Sequence, residues 1–226
     1  TWVAPVDFYL VLGAEVLKGS NKAMFGNESF SIGNLSVEKD DMPLMVGFVK
    51  TSFDFDNMIL LAGVSLASGR HQSIQEENDY AFSGNSLLYG LELTIKYMID
   101  SYRYLSLQSE YIGSRSDGDE YLLSTGRSKP FDGSMSGLYS ELIWRYGLRW
   151  RTGVRFDYIA KRPERIFESH NLNQSGTRIA AMIEYNPSEF SRVRLQYAYD
   201  RAHFLFGEKK NYHELSVNIN VAVGAH

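Results

Sequence analysis

The chain predicts an all-β protein, an antiparallel up-and-down transmembrane β-barrel with about ten strands. Three observations carry this. Apolar residues recur at every second position along most of the chain, as in a half-buried strand. Short turns alternate with long polar connections. The second face of many strands is charged with both signs. The expectation is one barrel domain over residues 1–226, with room for further N-terminal strands in a larger, even-numbered barrel.

Composition agrees. Aromatics make up 14% of the 226 residues, with 15 Tyr and 13 Phe, and large rings pack well on a pleated surface. With 5 Pro against 19 Gly, disorder is not expected. A net charge of -4 gives no reason to expect a nucleic-acid partner. The absence of cysteine removes disulfides, thiolate metal sites and a cysteine nucleophile. No stretch approaches the roughly 18 apolar residues of a membrane helix, whereas a barrel strand needs only about 9–11. The opening Thr1-Trp2-Val3-Ala4-Pro5 lacks the features of a signal peptide, so the N-terminus reads as processed or cut.

The strands follow in order. Phe8, Leu10, Leu12, Ala14 and Val16 share a face opposite Glu15. Met45 to Phe55 is apolar on both faces near its start. Leu60, Ala62, Val64 and Leu66 oppose Gly63 and Ser65. Tyr89, Leu91, Leu93, Ile95 and Tyr97 oppose Glu92 and Lys96, and Leu105, Leu107 and Tyr111 oppose Glu110. Leu138, Leu142, Trp144 and Tyr146 oppose Glu141 and Arg145. Trp150, Val154, Phe156 and Tyr158 oppose Arg151, Arg155 and Asp157. Ile179, Ala181, Ile183 and Tyr185 oppose Arg178 and Glu184. Val193, Leu195, Tyr197 and Tyr199 oppose Arg192 and Arg194. Leu215, Val217, Ile219, Val221 and Val223 oppose Glu214 and Asn218.

Short turns are expected at Asp56-Asn57, near Asp100-Ser101, at Gly147-Leu148-Arg149 and at Asn186-Pro187-Ser188-Glu189. Between them lie polar connections over 18–41, 68–84, 114–134, 161–175 and 201–210. This is the rhythm of an outer-membrane barrel, with short periplasmic turns, longer outer loops and both chain ends on the short-turn side. Tyr102, Tyr146, Trp150 and Tyr185 lie beside turns, where rings suit an interfacial girdle.

In lipid a sheet must close on itself, with one face to hydrocarbon and the other to the lumen. Leu91, Leu93, Ile95, Val154, Phe156, Leu195, Val217 and Ile219 are the lipid-facing candidates. Glu92, Lys96, Glu110, Glu141, Arg145, Arg151, Arg155, Asp157, Arg178, Glu184, Arg192 and Arg194 are the lumen-lining candidates. A soluble barrel with an apolar core would invert the assignment, and alternation alone does not separate the two.

Motifs for chemistry are sparse. No GxSxG, Walker loop or GxGxxG occurs, so an enzyme is not expected and no cofactor is implied. The five histidines form no HxH or HxxxH pair; His203, His213 and His226 are the imidazoles available to a metal. The acidic runs Gln75–Asp79 and Ser116–Glu120 read as solvated loops, with calcium or divalent-bridged lipopolysaccharide as the alternative.

The segments EYNPSEFSRVRLQYAYD and NYHELSVNINVAVGAH, with WVAPVDFYLVLGAEVLKG and YLSLQSEYIG, resemble a family of Gram-negative outer-membrane barrels described as zinc-regulated or TonB-dependent-receptor-like. The resemblance implies a barrel with a transport-type role, and zinc association through regulation. It also implies a longer protein, with strands before the Trp2-to-Pro5 segment and a terminal aromatic after His226, so this chain reads as a C-terminal portion of such a barrel. The expected function is therefore porin- or transport-like, through a charged lumen. A non-conducting barrel that anchors a larger outer-membrane complex remains open beside it. The expected partners are outer-membrane lipid and lipopolysaccharide, with protein partners or an oligomer.

Overall fold

The computed structural model describes residues 1–19, 24–33, 35–40, 42–160, 175–205 and 208–222. The strands are β1 (Trp2–Val3), β2 (Tyr9–Leu17), β3 (Phe30–Ile32), β4 (Leu35–Val37), β5 (Leu44–Phe55), β6 (Met58–Gln75) and β7 (Tyr80–Met98). They continue as β8 (Tyr104–Leu122), β9 (Ser128–Arg145), β10 (Trp150–Ile159), β11 (Gly176–Ser188), β12 (Ser191–Leu205) and β13 (Glu208–Val221). All but β3 and β4 form one 11-stranded sheet in chain order, each strand antiparallel to the next. The fold class is thus all-β, antiparallel and up-and-down. The sheet is open: among the described residues β1 and β13 are its edges and do not pair with each other.

The turns hold their strands by local chemistry. Asp56 and Asn57 alone separate β5 from β6, and the Asn57 side chain donates to the Tyr97 hydroxyl at 3.0 Å. Between β7 and β8, Asp100 Oδ1 accepts from the backbone N–H groups of Tyr102 (3.0 Å) and Arg103 (2.7 Å). Between β9 and β10, the Arg145 guanidinium donates to the carbonyl oxygens of Gly147 and Leu148.

The β11–β12 return differs from expectation. The turn falls at Glu189-Phe190, and β11 runs through Asn186-Pro187 to Ser188. The register shifts between Tyr185 and Ser188, which is a β-bulge. Proline cannot donate to a ladder and is tolerated at such a bulge. Ser188 and Ser191 close the turn, their hydroxyls 2.7 Å apart.

The long polar connections are corrected more deeply. Most of residues 68–84 and 114–134 is strand: only 76–79 separates β6 from β7, and 123–127 separates β8 from β9. Over Ser83-Gly84-Asn85-Ser86 and Arg115 to Glu120 both faces are polar, so the hydrophobic period vanishes there while the backbone ladder continues. The acidic run at 116–120 is therefore part of a strand, with Asp117 and Asp119 on one face and Glu120 on the other. The run at 75–79 is the end of β6 and a single 3-10 turn. In it Asp79 has φ 55, and its carboxylate accepts from Ser124 N–H at 2.7 Å. The connection at 18–41 carries the β3–β4 hairpin, whose Phe30 and Ile32 pack with Ala81, Val37, Ile74, Tyr121 and Leu123 into a small core. The connection over 161–174 lies outside the described residues.

Candidate functional site on the charged face

The register decides which side chains share a face. Leu93 pairs in turn with Ser109, Ser140, Phe156, Ile179, Tyr199 and His213 along β7 to β13. Ile95 leads likewise to Leu107, Leu142, Val154, Ala181, Tyr197 and Leu215. The residues assigned to lipid thus lie on one face. They are also open: Leu91 is 50% exposed, Val154 53%, Val217 62% and Ile219 71%.

The opposite face carries the charged residues. Glu92 pairs in turn with Glu110, Tyr139, Asp157, Arg178 and Asp200. Thr94 leads to Gln108, Glu141, Arg155, Ala180, Ala198 and Glu214. Nearest the turns, Met98 leads through Tyr104 to Arg145, Arg151, Glu184 and Arg194. Every lumen-lining candidate, Lys96 and Arg192 included, falls on this face. It is the more enclosed one in places: Ala180, Ala198 and Glu184 are buried there.

The charges are grouped. Glu92 reaches Lys50, two strands away, at 2.7 Å. It does so by lying over Gly63, the residue between them in register, where a Cβ would collide with the Glu92 side chain. Lys96 Nζ sits 4.5 Å from the Tyr104 ring centroid. Arg155 holds Asp157 at 2.7 Å and stacks 4.2 Å over Tyr139, beside Glu141 in register. Arg178 bridges Glu214 (2.9 Å) and Asp200 (3.6 Å).

The densest group surrounds Glu184. Arg194 donates to its Oε2 from Nε (2.9 Å) and Nη2 (2.7 Å). Asn186 donates to Oε1 at 3.2 Å, and Arg192 Nε stands 3.7 Å from Oε2. Arg151 Nε lies 2.9 Å from Oε1, close enough for charge pairing but out of line for a hydrogen bond. A fully buried carboxylate needs this company, because desolvating a lone charge costs several kcal/mol, about the scale of a whole domain's stability.

Aromatic rings gather on the apolar face at the turn end. Trp150 and Tyr185 lie 4.6 Å apart, and Trp144 and Tyr146 5.2 Å. His213 is on the same face, its Nδ1 2.7 Å from the Tyr197 hydroxyl and its ring against Tyr199. It therefore stands away from the charged groups. The His203 side chain and His226 lie outside the described residues. Among the described residues, no group of three or more His, Asp or Glu side chains is placed to hold a metal.

Sequence reasoning missed a polar cluster on the extension of β6–β8. The Ser86 hydroxyl lies 2.8 Å from that of Ser116 and 3.4 Å from His71 Nδ1. Ser86 is only 2% exposed and His71 9%. Nearby, the Tyr80 hydroxyl donates to Glu120 at 3.1 Å. No signal in the sequence joins residues so far apart. The β3–β4 hairpin did carry one, the Gly33-Asn34 pair between Phe30/Ile32 and Leu35/Val37, with Gly33 at φ 57.

No family model matches the chain, so its likeness to the zinc-regulated, TonB-dependent-receptor-like barrels gains no support there. An uncharacterized protein of Aquifex aeolicus (strain VF5) is 42% identical over 232 residues. That match takes in 100% of this chain and 49% of the relative, so the chain spans about half the length of the curated relative it matches. Among solved structures, the NanC porin is similar with a TM-score of 0.42 and 8% identity, over 80% of this chain and 94% of that one. The Pseudomonas putida toluene transporter TodX is similar with a TM-score of 0.42 and 12% identity, over 98% of this chain and 72% of that one.

Proposed function

We propose that the chain is a wall of an outer-membrane β-barrel that lets polar solutes pass along its charged face. The observation that carries this is the inversion of the molecule: the continuous apolar face is the exposed one. Soluble proteins rarely leave an apolar patch beyond a few hundred Å² uncovered. The height of the face fits a bilayer. On β7 its apolar run extends from Leu87 to Tyr97, about 33 Å of strand at ~3.3 Å per residue. At a tilt of about 40° that becomes a band about 25 Å tall, the hydrophobic thickness barrels present to lipid. Beyond the band the same face turns polar at Arg70, Asn85, Arg115 and Asp132. There Arg70 donates to Asn85, and Arg115 pairs with Asp132 at 2.7 Å.

Closure belongs to the same proposal. An unpaired strand edge is prohibitively costly in hydrocarbon. The outer edge of β13 is unpaired among the described residues, and β1 covers β2 only at Val11 and Leu12. Further strands, from a longer chain or a second copy, are needed to join these edges. The expected partners are membrane lipid, lipopolysaccharide at the polar collar, and whichever chain completes the wall. Catalysis is not part of the proposal.

The internal pairing of Arg155, Arg178, Glu92 and Glu184 favours a second reading, in which the charges close the bore and the barrel serves as an anchor. Single-channel recording of the full-length protein in planar bilayers separates the two. Discrete conductance steps are expected; a protein that inserts and remains silent would leave only the anchor.

A further inference from the structure

We infer that the turn end of the charged face, around Glu184, is a binding site for an oxyanion, the carboxylate or phosphate of a passing solute. The inference rests on the porin-like reading insofar as the solute must reach this face through water. Its basis is a local surplus of positive charge. Among the described residues, Arg151, Arg192 and Arg194 converge on the one carboxylate of Glu184. Arg145 lies in register beside Arg151 and spends its hydrogen bonds on the carbonyls of Gly147 and Leu148. One carboxylate cannot neutralise four guanidiniums. The next strand adds no acid here, since Arg192 and Arg194 face Asn220 and Asn218 on β13. The nearest acid in sequence, Glu189, sits in the exposed β11–β12 turn.

The cluster is also shaped for a ligand. Glu184 is enclosed and holds Arg194 in a fixed orientation through paired hydrogen bonds. Arg192 stands off at 3.7 Å and is 40% exposed, with donors left for an incoming group. A pre-oriented guanidinium beside a half-exposed one suits carboxylate and phosphate oxygens, which accept parallel N–H donors. Charge on this wall is graded as well. Toward the other end Arg155 and Arg178 share the face with Glu141, Asp157, Asp200 and Glu214. An anion is therefore favoured at the turn end and disfavoured beyond it.

Titration of the folded, detergent-solubilised full-length protein with inorganic phosphate, followed by calorimetry, tests this. Saturable binding is expected. Arg192→Gln is expected to weaken it about tenfold, the worth of one charge-assisted hydrogen bond. Glu184→Gln removes the competing negative charge and is expected to tighten binding; Arg192→Gln, at a loosely held side chain, keeps the test decisive should Glu184→Gln fail to fold. No saturable binding, or equal binding by wild type and Arg192→Gln, would overturn the inference. Bilayer recordings distinguish it from the reading it rests on. Phosphate binding without conductance upholds the site and sinks the porin; conductance without phosphate binding does the reverse.

Discussion

Asp100 shows how much of the design is set by single side chains. It lies in the β7–β8 turn, outside the apolar band. Burial pushes its carboxyl up, but the backbone N–H groups of Arg103 and Tyr102 and the Arg103 guanidinium outweigh this and hold it below the usual aspartate range. Arg103 Nε stands 2.6 Å from Asp100 Oδ2. Because the folded value lies below the unfolded one, near 4, the turn's stabilisation is complete above about pH 4. It is lost as pH falls through the lower folded value. Amide protection of Tyr102 and Arg103, measured by hydrogen exchange, should stay constant down to that pH and then decline. Asp100→Asn should lower protection above about pH 4 and flatten the decline. Protection in the variant equal to wild type would show that the backbone alone makes this turn. Asp100-Ser101 was legible as a turn because Asp favours such positions; the capture of Arg103 was not, since it depends on where the chain returns.

Among elements, glycine placement links strands that are not neighbours. Lys50 on β5 and Glu92 on β7 meet only because Gly63 on β6 leaves the space between them clear. A double-mutant cycle on Lys50→Met and Glu92→Gln should give a coupling of about 0.5 kcal/mol, the usual size for a half-exposed pair. In a Gly63→Ala background that coupling should vanish, because the new Cβ displaces the Glu92 side chain. An undiminished coupling would show that Glu92 reaches Lys50 by another path. Strand identity was readable wherever one face is apolar, as in β7 from Leu87 to Tyr97. It was unreadable where both faces are polar: Arg115 to Glu120 pairs through backbone ladders that any side chain can occupy. Asn186-Pro187 misled for a related reason. A proline marks a break in hydrogen bonding, and a bulge satisfies that as well as a turn does.

For the molecule as a whole, the medium on each face is the decisive quantity. The chain contains no cysteine, so single cysteines carrying a nitroxide report each position without interference. Labels at Leu91, Val217 and Ile219 should be reached by oxygen dissolved in lipid and shielded from a water-soluble relaxation agent. Labels at Glu92, Ser216 and Asn218 should show the reverse. The same accessibility on both faces would contradict a wall between lipid and water. The small buried core of Phe30, Ile32 and Ala81 lies beyond the apolar band, under the β3–β4 hairpin. Among the described residues the part of the sheet that carries the apolar band has no comparable buried cluster, and on the proposed membrane reading its stability would come from surrounding lipid and from strands that complete it.

The sequence by itself determined the two-sided strands of the apolar band, their order and the common face of the charges between them, because a period of two is a local property of the backbone. Only the tertiary structure decided which charges meet. Glu184, Arg151 and Arg194 are brought together by register across three strands, and Lys50 and Glu92 by a missing side chain on a fourth. Register is set by turns, bulges and ladders acting over the whole sheet, and no short stretch of sequence contains it.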